Sequence, residues 1–384
     1  MGNRAASLSL GEVAPLGLAC VYFLLVASFP AVSGPQLLRL TGQYAGLSLS
    51  FLMLTTMFCL AGALTVRLAR RDLSERPVAL LTRLARQRWD EDRGLSLLFP
   101  TLFFAILLAA FNAFKQAVLP LAGFGLDPLF AQWDRALFGV DPWQISHALF
   151  SSPAATLLFS QAYHQYFLPM ALGVFLCAVL PGRRELRTQY LLSFALIWMF
   201  VGSVLAFLLP SAGGVFWGDF HPGPDPFRPL VDTLARQHDL LIEAGHPQGL
   251  GARAFQIALA DSFGGDRLAI GRGISAMPSV HIALAVQFAC AAFALNRGLG
   301  WAAVAYAALM WVASVHLGWH YAVDGVAAAI VTIPLWFASG RLARRLHAIP
   351  LRRLREPRLP SPAVLGAPAC ASRSSSTPSP AAMP

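Results

Sequence analysis

Eight stretches of this chain are apolar over about twenty residues each, and nothing else in it constrains the fold as much. They run roughly over 13–33, 45–66, 96–119, 154–180, 189–210, 278–295, 299–317 and 321–339. A hydrocarbon layer about 30 Å thick is crossed by ~20 apolar residues of helix, because every backbone N–H and C=O must find its partner inside the segment. The 384 residues include only 12% charged side chains, against about a quarter in a soluble domain. Mean hydropathy is +0.58. The expected fold is therefore all-α, a polytopic integral membrane helical bundle of about eight transmembrane helices. The first stretch ends in AVSG, which resembles a signal-peptide cleavage site. Its apolar run is long and its only early basic residue is Arg4, so a retained helix is expected.

The net charge of +10 does not point to nucleic acid, because the arginines sit between and after the apolar runs. Such clustering orients membrane proteins, with basic loops on the cytoplasmic side. The 67–93 loop carries Arg67, Arg70, Arg71, Arg76, Arg83, Arg86, Arg88 and Arg93. Counting spans from there puts Arg183, Arg184, Arg297 and the Arg341–Arg358 cluster on the same side, with both termini. Lys115, the 121–150 segment, the 211–276 loop, PSVH and GWH then fall on the extracytoplasmic side, facing out from the plasma or inner membrane in a bacterium. Residues 67–94 read as an amphipathic basic helix on anionic headgroups. Residues 341–384 read as a basic stretch and then a Pro-, Ser- and Ala-rich disordered tail. Segment 120–150 is too broken to span and reads as a short interfacial helix with Trp133 and Trp143 at headgroup depth. The 211–276 stretch reads as a structureless loop capping the site. Five scattered cysteines predict neither disulfide nor zinc.

The chemistry-bearing residues concentrate between Arg272 and Ile330, at two histidine corners, PSVH and GWHYAVD. Pro278 suits the first position of a helix, whose free N–H groups would face an anion. Ser279 adds a hydroxyl and His281 a proton carrier. His320 and Asp324 are four apart, so on a helix they would share one face, with the carboxylate orienting the imidazole. Lys115, the one lysine among 29 basic residues, ends an apolar run and offers a fixed positive charge. A positive, donor-rich pocket with two imidazoles suits phosphoryl transfer. His316, His320 and Asp324 also have the spacing of metal ligands on a helix. A helix through Gly318 is not expected, so neither is a metal. His164 reads as a polar core residue or part of the substrate path, and His221, His238 and His246 as loop surface.

At these residues the chain resembles the type 2 phosphatidic acid phosphatase superfamily of membrane lipid phosphatases and phosphotransferases. Its second motif, PSGH, matches Pro278-Ser279-Val280-His281, and the end of its third, HxxxD, matches His320 to Asp324. The Val in place of Gly after SAM, with FKQAVLP, DRALFGVDPW and LLPSAGGVF, is similar to the inositol phosphorylceramide synthase branch. The resemblance covers about 95–340, a six-helix catalytic core; residues 1–66, with two N-terminal helices, lie outside it. It implies a phospholipid or sphingolipid substrate in the bilayer, no cofactor or metal, and a phosphohistidine on His320 oriented by Asp324. His281 would be the acid and base, with Lys115, Ser279 and Arg272 on the phosphate. Two positions depart from the pattern. Ser314 stands where the third motif has arginine, and no arginine precedes Pro120, so Arg272 or Arg228 must meet the phosphate charge. A headgroup transferase, a simple phosphatidic acid or polyprenyl-phosphate phosphatase, and a transporter using His-Asp as a proton relay are the functions these features allow.

Overall fold

The computed structural model describes residues 8–69, 94–179, 183–265 and 267–351, with isolated positions 79, 82, 83 and 86. The amphipathic helix expected over 67–94 and the tail beyond 351 therefore lie largely outside the described residues. Within them the chain is helical, with no strand beyond an isolated bridge between Ser9 and Pro350. The bundle is all-α and polytopic, as its apolar runs require. Seven helices are long and apolar enough to cross a membrane, and an eighth apolar helix, Val280–Leu295, is shorter.

Helix α1 (Leu10–Ala27) starts from a Ser9 cap closed reciprocally by Glu12, and buries Ala19, Tyr22 and Val26. Helix α2 (Gly34–Ala69) has 36 residues, about 54 Å at 1.5 Å per residue. It begins well before the expected 45. Helix α3 (Leu95–Ala117) is the most deeply buried of the first three and ends beside Lys115. Segment 120–150 forms two helices, α4 (Asp127–Phe138) and α5 (Pro142–Leu149), each with proline in its first turn. The 154–180 stretch breaks at Gln165 and Tyr166 into α6 (Pro153–His164) and α7 (Phe167–Val179). Helix α8 (Arg184–Leu196) continues through a π-helical stretch, Ile197–Leu205. The 211–276 stretch is not the structureless loop expected, for it holds α9 (Arg228–Glu243) and α10 (Gly251–Asp261). Both are amphipathic and bury residues such as Leu230, Leu234 and Ala252. Helices α11 (Val280–Leu295), α12 (Arg297–His316) and α13 (Ala322–His347) complete the bundle.

Contacts separate the two ends of this bundle. At one, His347 near the end of α13 reaches Ser9 and Thr188, and Arg183 donates to the carbonyl of Ala294. Arginines mark that end, with Arg183 and Arg184 at the start of α8, Arg297 at the start of α12 and Arg344 and Arg345 in the last turn of α13. At the other end the chain closes α3, opens α11 and turns from α12 into α13. Gln36, near the start of α2, also belongs there, since its side chain accepts from Leu268 N–H.

Candidate active site

The two histidine corners meet at that second end. Ser279 is the N-cap of α11, with its Oγ accepting from Ile282 N–H at 3.4 Å. Pro278 thus lies just before the cap rather than at the first helical position. At the other corner α12 stops at His316, and Gly318 turns the chain with φ +74°. His320 lies in that turn, and Tyr321 is the cap of α13. His320 and Asp324 therefore do not share a helix face, as the spacing alone implied. Asp324 is the third residue of α13, and its Oδ2 accepts from Tyr321 N–H at 3.1 Å. His320 Nδ1 is 3.1 Å from the same oxygen. The capping carboxylate is also the one that orients the imidazole. An ionised carboxylate only accepts, so Nδ1 carries the hydrogen and Nε2 presents its lone pair. A bond from Ser279 N–H to the carbonyl of Asp324 ties the corners together.

His320 Nε2 lies 3.2 Å from Ser279 Oγ and 3.1 Å from the hydroxyl of Tyr163. That hydroxyl is also 3.1 Å from His281 Nδ1. The two imidazoles stand edge to face, with ring centres 5.9 Å apart. Both line a cavity of about 350 Å³, with Lys115, Arg272, Tyr44 and Trp319. No hydrogen bond or ion pair engages Lys115 among the described residues. The Gly273 backbone packs against the Lys115 stem, where a Cβ would come within 2.9 Å of its Cγ. Next to it, the Gln116 amide exchanges bonds with Ala269, accepting from its N–H at 3.0 Å and donating to its carbonyl at 2.8 Å. Asn112, with its oxygen towards the loop, accepts from Gly271 N–H at 3.0 Å and from the Tyr44 hydroxyl. The loop carrying Arg272 is thus fastened to α3 on both sides of the arginine's approach.

Two carboxylates on α4 hold the corner from behind. Asp134 accepts from the N–H groups of Ala322 and Val323 at 2.8 and 2.9 Å, completing the start of α13. Burial pushes its carboxyl up to about 6, against the downward pull of those two donors. Asp127 is fully buried and accepts from Ser211, Ala212, Gly213, Tyr321 and His221. Gly213 has φ +99°, and a Cβ there would collide with the carbonyl of Trp319. The GG of PSAGGVF is thus an interlock between the 211–216 turn and the histidine corner.

Other expectations are corrected by position. His316 points away from the cavity, bonded to Thr156 and Ser146 and stacked on His147 at 3.7 Å. Burial depresses the His147 imidazole below its ordinary value. The i, i+4, i+8 set does not assemble, because the helix ends at its first member. His221 is no surface residue: it faces Asp127 at 3.0 Å with its side chain 14% exposed. His238 accepts from Leu250 N–H, while His246 is exposed. His164 does line the cavity. Ser314 is buried and bonded to Trp311, so nothing at that position reaches the cavity. Arg228 pairs with Asp232 on an exposed face, which leaves Arg272 as the arginine at the cavity.

Residues 129–338 match the profile of the PAP2 superfamily, more than half of the chain. The chain belongs to the PAP2 superfamily. Membership makes it an enzyme of the phosphatase and phosphotransferase kind, acting on lipid phosphoesters. No curated protein and no solved structure matches it. The PAP2 match is narrower than the 95–340 expected. It takes in Tyr163, Arg272, Ser279, His281, His320 and Asp324 and leaves out Lys115, Asp127 and the whole of α1 to α3. Sequence reasoning had missed Tyr163, Asp127 and Asp134. The signals were present: YHQY interrupts an apolar run, and two carboxylates seven apart share one face of a short apolar helix.

Proposed function

We propose that this PAP2 superfamily member is a metal-independent lipid phosphotransferase working through a phosphohistidine on His320, with Asp324 and His281 as its partners. The observation that carries the reading is the pair of imidazoles on one cavity, one of them held at Nδ1 by a buried carboxylate and both within 3.1 Å of the Tyr163 hydroxyl. His320 Nε2 attacks phosphorus as the bond to the leaving lipid oxygen breaks. His281, protonated, gives its proton to that oxygen. The phosphohistidine cation is stabilised by Asp324, as an oriented carboxylate does for imidazolium elsewhere. An acceptor hydroxyl then attacks phosphorus, its proton returns to His281, and His320 leaves with its lone pair. Lys115, Arg272 and Ser279 meet the phosphate charge, the main task in phosphoryl transfer.

The acceptor in this reading is a lipid hydroxyl, as in inositol phosphorylceramide synthases, and residues 95–340 form the catalytic unit. The branch-like SAMPSVH and DRALFGVDPW segments support transfer; water in the same place would make the enzyme a phosphatase. Positive-inside orientation supports an extracytoplasmic site, because the arginine-rich helix ends gather opposite the cavity.

The test is turnover in mixed micelles containing EDTA, with labelled phosphatidic acid and, separately, labelled phosphatidylinositol plus ceramide. Label appearing on ceramide, and lost in His320→Ala, is the expected result. Inorganic phosphate alone would replace transfer by hydrolysis, and turnover surviving in His320→Ala would overturn the phosphohistidine.

A further inference from the structure

The histidine corners leave one problem unsolved. Ser314 occupies the position where an arginine would reach the transferred phosphoryl group, and its hydroxyl is turned to the carbonyl of Trp311 at 2.7 Å. Lys115 and Arg272 approach the cavity from the α3 side and the loop fastened to it. The Ser279 hydroxyl, 3.2 Å from the attacking nitrogen, is one donor beside the reaction axis, and charge that spreads over three equatorial oxygens in the transition state calls for a second.

Tyr163 meets the geometry. Its hydroxyl is 3.1 Å from His320 Nε2 and 3.1 Å from His281 Nδ1. A group within hydrogen-bond reach of both the attacking nitrogen and the acid's ring lies alongside the path between them. Proton bookkeeping then fixes which way its hydrogen points. With His281 protonated, both ring nitrogens are donors, so Nδ1–H donates to the Tyr163 oxygen. The tyrosine's own hydrogen must go elsewhere, and the nearest acceptor is His320 Nε2. When that lone pair is spent on phosphorus, the hydrogen is released to a phosphoryl oxygen. Tyr163 is 4% exposed and lines the cavity beside both histidines. Its ring is fixed between His281, with centres 4.6 Å apart, and Trp319, at 6.0 Å and nearly parallel.

We infer that Tyr163 is a catalytic residue whose hydroxyl caps the nucleophilic nitrogen at rest and donates to the transferring phosphoryl group once that nitrogen is engaged. This rests on the phosphohistidine reading above. Removing one such donor costs on the order of 10²-fold in rate in other enzymes that use preorganised donors.

Tyr163→Phe keeps the stacked ring and deletes only the hydroxyl. In the full chain in micelles, the expected result is kcat lowered at least about tenfold with KM within about twofold. Affinity for orthovanadate, a five-coordinate mimic of the transferring group, should fall in the same proportion by calorimetry, with the thermal midpoint unchanged. Unchanged vanadate affinity would overturn the inference even if kcat fell, because a packing role would not distinguish the transition state. His320→Ala separates the two readings. If it is inactive while Tyr163→Phe behaves as wild type, the phosphohistidine stands and the role of Tyr163 falls. If it turns over normally, both fall together.

Discussion

Asp324 serves two structures with one oxygen. Its Oδ2 caps α13 and takes the Nδ1 hydrogen of His320, so the tautomer of the imidazole is set by the start of a helix. Asp324→Asn keeps the size but can offer an N–H to His320 Nδ1, which favours the wrong tautomer. We expect kcat to fall roughly 10²–10⁴-fold, as wrong-tautomer variants of oriented histidines do, with little change in KM. Gly213 is as restricted for a different reason. At φ +99° and ψ 155° it occupies a region open essentially to glycine, and a side chain there would also meet the carbonyl of Trp319. Gly213→Ala should lower unfolding stability by about 1–3 kcal/mol, the usual cost of forcing such a conformation, and reduce turnover because Trp319 adjoins His320. Thermal unfolding in detergent with a turnover assay checks both.

Among elements, α4 is the one that sequence reading undervalued. PLAGFGLDPLFAQWDRALF reads as part of an apolar, interrupted segment forming a short interfacial helix, with no role for its carboxylates. Folded, those carboxylates are the acceptors for the histidine corner, and the segment is a brace. The His281, His320 and Asp324 set was legible because short motifs carry most of its geometry within a few residues. The partners were not legible, because Asp127 meets Tyr321 across 194 residues and Tyr163 meets His320 across 157. Such contacts depend on where α6 breaks and where α4 docks, which apolar periodicity does not record. Asp127→Ala should be among the most damaging substitutions outside the cavity, by ~3 kcal/mol or more, since it strands several buried donors at once. Asp134 makes a pH prediction. Its carboxyl is raised from 3.8 to about 6, so between about pH 4 and 6 the folded state binds more protons than the unfolded one. Stability therefore declines as pH rises through that window. Thermal midpoints measured from pH 4 to 7 should show wild type losing ground against Asp134→Asn up to about pH 6, with a constant gap above it.

At the scale of the whole molecule, the cavity wall comes from two parts of the chain. The segment matching the superfamily supplies both histidines, Tyr163 and Arg272. The part before it supplies Lys115, Asn112 and Tyr44. The eight apolar runs announced the bundle, and the arginines marked one end of it. That α2 begins early enough to place Tyr44 at the cavity was not readable, because polar residues such as Gln36, Arg39 and Gln43 conceal the helix's first turns. Tyr44→Phe keeps the packing and removes the bond to Asn112 that helps hold the Arg272 loop. We expect KM to rise by about threefold to tenfold, corresponding to one hydrogen bond of about 1 kcal/mol, with kcat within about twofold. A fall in kcat with unchanged KM would instead assign Tyr44 to the chemistry.

The far end of the bundle is latched by His347, whose two ring nitrogens reach Ser9 at 2.8 Å and Thr188 at 2.9 Å, while the backbones of Leu8 and Leu10 bond to those of Leu351 and Ile349. The latch joins the first helix to the last, and the last helix carries Asp324 at its opposite tip. The beginning of the chain is therefore tied to the helix that carries Asp324. A bulky fusion at the amino terminus is expected to strain the same helix whose first turn orients His320.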